Sequence, residues 1–248
     1  MLVPFFAITA LIIKFDLPDV PAASDPFVGY WGKQIFIGHF SDESIVVTLS
    51  TTFVRCVFAA REDYIAAAQH LRNVWEPPNQ TQLRVSDMYR SISRFESCIT
   101  YMYLSQRSLR ELRKCQELTA RERTVLCDTK QKPSFLRASG ELIGKMRNKM
   151  QHIEEELAKG KLKGDLPIMI QSTGPEVSLN DPTQPGQSIK TIDRLLVHEC
   201  EVRFAVLAGW LCEMVDYVNR IHSLMPIGYN STNGKVFAPA PAGLTQSS

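Results

Sequence analysis

The sequence has no pair of cysteines at the two-residue spacing that presents two thiolates to one tetrahedral metal; its six cysteines stand at positions 56, 98, 115, 127, 200 and 212. They read as buried thiols of a reducing, cytoplasmic setting. A glycine-rich phosphate loop, an HExxH pair and a Gly-x-Ser-x-Gly elbow are all missing, which removes the commonest nucleotide-binding, zinc-protease and serine-hydrolase readings. The Glu-x-x-His pairs of carboxylate-bridged di-iron bundles are missing too, so no resident metal and no cofactor is expected. His198 and Cys200, taken as helical neighbours two apart, would point about 200° from each other and make a poor ligand pair. Long apolar runs are also scarce. Met1 to Ile13 is almost wholly apolar and ends at Lys14, but a membrane span needs about 20 such residues. A secretory signal would carry basic residues before that run and a small-residue cleavage site after it. The stretch is expected to be a strand or short helix, with no stable membrane span.

What is present is an ordinary globular composition over 248 residues, 44% apolar and 22% charged. Wholesale disorder, collagen-like repeats and a multispanning membrane protein are excluded. The net charge of +2 conceals an uneven distribution. Residues 84–163 hold 18 Lys and Arg against 10 Asp and Glu, whereas the rest of the chain holds 10 against 16. A basic middle between acidic flanks would concentrate a polyanion at one place. Solvated faces of long helices give the same count without any ligand.

Residues 15–40 interleave Phe27, Tyr30, Trp31, Phe36 and Phe40 with Pro and Gly, and predict an irregular or short-stranded stretch, so 1–40 is expected to form an N-terminal appendage. Helical periodicity then begins at Val46 and continues through Leu49, Phe53, Cys56, Ala60, Tyr64, Ala67, Leu71 and Val74. Ser41, with Asp42 and Glu43, is its start signal and Pro77-Pro78 its stop. A second stripe, Met88, Ile92, Phe95, Ile99, Met102, Gln106 and Leu109, predicts a helix that continues towards Leu118, with Arg90, Arg94, Arg107, Arg110 and Arg113 on its other face. Leu142, Met146, Met150, Ile153 and Leu157 predict a third helix. Leu166 to Gln171 and Glu176 to Leu179, around Ser172-Thr173-Gly174-Pro175, predict a small hairpin, and Asp181 to Gly186 a turn-rich insert. Leu207, Leu211, Met214, Val218, Ile221 and Met225 predict the last helix. The expected fold is therefore mainly α: an antiparallel four-helix bundle over 41–225, with a small β-hairpin insert before the last helix and a disordered tail over 226–248.

The compact polar cluster of the third helix is Arg147-Asn148-Lys149-Met150-Gln151-His152. Arg147 and His152 are five apart, about 140° around a regular helix, and do not share a face. Asn148 and His152, four apart, do. Glu154, Glu155 and Glu156 follow as a solvated charge run. This Arg-Asn-x-x-x-His pattern resembles the signature of the HEPN superfamily, and the helical pattern over 41–225 suits that resemblance. The resemblance implies a bundle that dimerises so that the Arg and His of two copies meet in one cleft. It further implies a metal-independent endoribonuclease of the toxin or defence type, acting in the cytoplasm as a homodimer on RNA, with an antitoxin or nucleotidyltransferase as partner. His152 would be the general acid or base, Arg147 the stabiliser of charge on the phosphoryl oxygens, and Asn148 a group orienting the imidazole or binding phosphate. Lys145, Lys149 and Arg137 would bind the RNA backbone. The other class that fits is a noncatalytic helical module that binds RNA, a nucleotide or a protein.

Overall fold

A computed structural model describes residues 11–20, 25–75, 85–127, 133–137, 139–160, 170–178 and 186–225. In chain order these form β1 (Leu11–Phe15), α1 (Asp25–Phe36), α2 (Ser44–Trp75), α3 (Val85–Lys114), α4 (Ala120–Leu126), a 3-10 turn (Ser134–Leu136) and α5 (Ser139–Ala158). There follow β2 (Gln171–Thr173), β3 (Glu176–Ser178), β4 (Ser188–Ile192), β5 (Arg194–Val197), β6 (Cys200–Arg203) and α6 (Phe204–Leu224). The architecture is mainly helical, with two small sheets.

The longest helix is the scaffold. All but one of the apolar positions that recur through α2 are fully buried, from Val46 and Phe53 to Leu71 and Val74; Leu49 is partly buried. α2 is also the one helix among the described residues long and apolar enough to cross a membrane. Here its apolar stripe faces protein. α3 lies against it, and Ser91 Oγ donates to the Ala67 carbonyl at 3.0 Å while Arg94 donates to Asp63 at 2.7 Å and His70 meets Asp87 at 2.8 Å. Each step forward on one helix is a step back on the other, so the pair runs antiparallel. Phe95 stacks on Phe204 and meets Tyr64 edge-on, with ring centroids 5.3 and 6.2 Å apart, which ties α6 into the same core. The apolar face of α6 is buried as its periodicity predicts, from Leu207 and Leu211 to Ile221 and Met225.

Four elements differ from the sequence expectation. Residues 25–36 are a helix, not an irregular stretch. Its aromatics and glycines argue for turns locally, but burial of Phe27 and Tyr30 outweighs weak propensity. Pro26 sits in the first turn, where its missing N–H is tolerated, and a Cβ on Gly29 would stand 2.8 Å from His222 Nε2, so a larger residue would push that imidazole aside where α1 seats on α6. The segment before α1 is tied down as well: Tyr64 Oη donates to the Pro18 carbonyl and Arg72 to that of Leu17, at 2.9 and 3.0 Å. The described part of the first forty residues thus belongs to the common core.

α3 stops at Lys114, short of Leu118, because Thr119 starts a separate helix. Its hydroxyl accepts from Glu122 N, and the Glu122 carboxylate accepts from Thr119 N, a reciprocal capping box. The hairpin is redistributed. β2 pairs with β5 and β3 with β4, so the described parts of the two runs lie in different sheets, ordered β1-β4-β3 and β2-β5-β6, while 166–169 and 179 fall outside the described residues. Gly174 permits the crossing: a Cβ there would fall 1.7 Å from the Thr191 carbonyl oxygen. Residues 194–203 form a true hairpin, β5–β6, which places His198 and Cys200 at a turn rather than on a helix. The expected turn-rich insert lies mostly, and the expected tail over 226–248 entirely, outside the described residues.

Candidate functional site

α5 carries the Arg147–His152 motif with its apolar stripe inward: Ile143 and Met146 are fully buried and Leu142 and Met150 pack against the core. At about 100° per residue, Lys145, Asn148, Lys149 and His152 then share the polar face. Asn148 and Lys145 are exposed, and the His152 side chain is 52% exposed with Nδ1 3.3 Å from Glu155 Oε1. Arg147 turns the other way. Its guanidinium lies 5.1 Å from the centroid of the Tyr103 ring on α3, and Nη1 donates to Asn148 Oδ1 at 3.3 Å. Its Nε is buried with no hydrogen-bond partner among the described residues. One chain therefore brings Arg147 to Asn148 and His152 to Glu155, and does not bring Arg147 to His152.

The two expected phosphate-binding lysines flank the β5–β6 turn. Lys149 Nζ reaches Glu199 Oε1 at 3.6 Å. A backbone hydrogen bond, and behind it Lys149, holds the Glu199 carboxyl below its ordinary value. Burial pushes the Cys200 thiol up, against the nearby charges of Lys145 and Lys149. His198, at the turn, has φ +51° and is buried with neither ring nitrogen hydrogen-bonded among the described residues. Arg137 stands elsewhere. It lines an open cavity of about 380 Å³ with Pro133, Ser134, Glu213, Asp216, Tyr217 and Arg220, in which Glu213 accepts from Ser134 Oγ and Phe135 N at 2.8 and 3.2 Å.

A second polar constellation lies on α2 and α3, where the sequence led to an arginine face on the second helix but not to His70 or the carboxylates behind it. His70 on α2 and Arg90, Ser93, Arg94 and Ser97 on α3 line an open groove of about 440 Å³. Behind it are two nearly buried carboxylates, Asp63 and Asp87, whose side chains are each 8% exposed. Asp87 fixes His70 through Nδ1 at 2.8 Å, Asp63 fixes Arg94 at 2.7 Å, and Arg90 Nη1 stands 3.8 Å from Asp87. An Nδ1–H that donates to a buried carboxylate leaves Nε2 as the working nitrogen of the imidazole, which is how catalytic and binding histidines are oriented.

Among the described residues, no group of three or more His, Cys, Asp and Glu could hold a metal ion. Compared with known proteins, the chain matches no protein-family model, no curated protein and no solved structure.

Proposed function

We propose that the protein is a metal-independent endoribonuclease of toxin or defence type, a cytoplasmic homodimer whose α2, α3, α5 and α6 form an antiparallel four-helix bundle of the HEPN kind. The observation that carries the reading is the division of the motif on α5. His152 and Asn148 are open to solvent while Arg147 is directed onto Tyr103, a division that suits a site drawing the two from different copies. In that cleft a neutral His152 takes the proton of a ribose 2'-hydroxyl, the oxygen attacks the adjacent phosphorus, and the P–O5' bond breaks as a protonated imidazole returns a proton to the leaving oxygen. Arg147 neutralises the charge gathering on the phosphoryl oxygens. Lys145 and Lys149, on the His152 face, hold flanking phosphates.

Purified protein is expected to cut single-stranded RNA in the presence of a chelator and to leave 2',3'-cyclic phosphate ends. Undiminished cleavage by either His152→Ala or Arg147→Ala, with the fold retained, overturns the assignment. The second reading is a noncatalytic module that binds RNA, a nucleotide or a protein partner such as an antitoxin or nucleotidyltransferase. It is favoured by the surface pairing of His152 with Glu155 and predicts binding without any cyclic product. A partner surface built on Met146 does not fit either reading, since that side chain is fully buried in the protein's own core.

A further inference from the structure

We infer that the groove between α2 and α3 binds a phosphate group, held by Arg90 and Arg94 and completed by His70. All five lining residues can donate hydrogen bonds: two guanidiniums, the hydroxyls of Ser93 and Ser97, and the imidazole once protonated. The acids stay behind them. Asp63 and Asp87 are nearly buried, while the Arg90 and Arg94 side chains are 66% and 54% exposed, so the carboxylates anchor the cations and the remaining N–H groups face the open volume. Each guanidinium has five N–H donors, and one carboxylate contact leaves several unused.

Stapling α2 to α3 requires only the Asp63–Arg94 and Asp87–His70 pairs. It does not account for Arg90, Ser93 and Ser97, which no hydrogen bond joins to α2 among the described residues. Positions 90, 93, 94 and 97 lie on one helix face at steps of three and four, forming a donor row about 10 Å long. Such a row exceeds what the two oxygens of a carboxylate accept and matches the three peripheral oxygens of a phosphate. The phosphate is that of a free nucleotide or inorganic anion, or one link of an RNA backbone. The site stands apart from Arg147 and His152 and does not rest on cleavage.

The test uses the full chain carrying His152→Ala, which keeps an RNA probe intact if the protein is a nuclease. Inorganic phosphate and adenosine 5'-monophosphate are titrated by calorimetry, and a labelled short single-stranded RNA by fluorescence anisotropy. Binding of at least one probe is expected, weakened at least about tenfold by Arg90→Gln and by His70→Gln, and unchanged by Arg107→Gln on an exposed turn of the same helix. Arg90 is largely exposed, so its substitution leaves the melting temperature in place, and a thermal melt checks this. Binding of all three probes identifies a free-anion site; binding of RNA alone identifies a backbone site. Absence of binding by all three, or equal loss in Arg107→Gln and Arg90→Gln, overturns the inference. Loss of cleavage with binding retained, or the reverse, separates this site from the nuclease reading.

Discussion

The two histidine-bearing regions are built on opposite plans. On α2 and α3, His70 is fixed by a nearly buried carboxylate and the arginines beside it are anchored from behind. On α5, His152 meets only an exposed glutamate, and Arg147 lies on an aromatic ring. The first region is complete within one chain, its geometry set by helix packing. In the second, Arg147 and His152 are not brought together, and the polar groups are ordered by neighbours on the same helix, by Tyr103 and, for Lys149, by Glu199. A preorganised site requires fixed orienting groups, and the proposed nuclease site would draw those missing on α5 from a second copy.

The largest expected effect separates the regions by chemistry. His152→Ala and Arg147→Ala are each expected to lower cleavage of single-stranded RNA by at least about 100-fold, measured as cyclic-phosphate product in chelator. Full activity in either variant would transfer the chemistry away from α5. Next comes stability. Asp87→Ala removes a nearly buried partner of His70 and is expected to cost about 1–3 kcal/mol in denaturant unfolding. Glu155→Ala, at an exposed pair, is expected to change stability by less than about 1 kcal/mol. Equal costs would erase the distinction between a fixed and an open histidine.

Much of this contrast was readable in the sequence, and the unread part has a physical cause. The stripes from Val46 to Val74, Met88 to Leu109 and Leu207 to Met225 predicted α2, α3 and α6 because burial of one helix face is recorded directly in residue spacing. α1 was not legible, since what outweighs its weak propensity is burial of Phe27 and Tyr30 in a core shared with elements remote in sequence. The redistribution of β2 and β3 depends likewise on a backbone approach at Gly174. The motif on α5 was found because it is local. Of the α2–α3 groove only the arginine face was legible; its closure by His70 was not, because His70 and Asp87 are 17 apart in sequence. A signal for it did exist: His70 and Asp87, and again Asp63 and Arg94, share one midpoint in the sequence, between Pro78 and Asn79, and residues placed symmetrically about the midpoint of two antiparallel helices face each other.

Smaller effects sharpen the comparison. Gln106 lies in the α3 stripe, buried with its amide unpartnered among the described residues; Gln106→Met is expected to raise stability by about 1 kcal/mol, read from the denaturant midpoint. Tyr103→Leu removes the ring beneath Arg147 and is expected to cost about 0.5–1 kcal/mol and to lower cleavage, while leaving phosphate binding in the α2–α3 groove unchanged. The smallest concerns His222 on α6. Burial, and then Lys33, lowers the pKa of His222 below its ordinary 6.5. On acidification the unfolded chain takes this proton first, so stability is expected to fall as pH drops through the ordinary histidine value and to level off below the folded one. His222→Asn should flatten that slope in urea titrations between about pH 7 and pH 5; an unaltered slope would assign the acid sensitivity elsewhere.

Complementation between variants decides whether α5 works as a composite of two copies. Arg147→Ala and His152→Ala chains are each expected to be inactive on single-stranded RNA. Co-expressed and purified as mixed dimers, they should regain cleavage, because one cleft then holds an intact Arg147 from one copy and an intact His152 from the other. A mixed dimer as inactive as either parent, or a protein that stays monomeric while cutting RNA, would contradict the two-copy site.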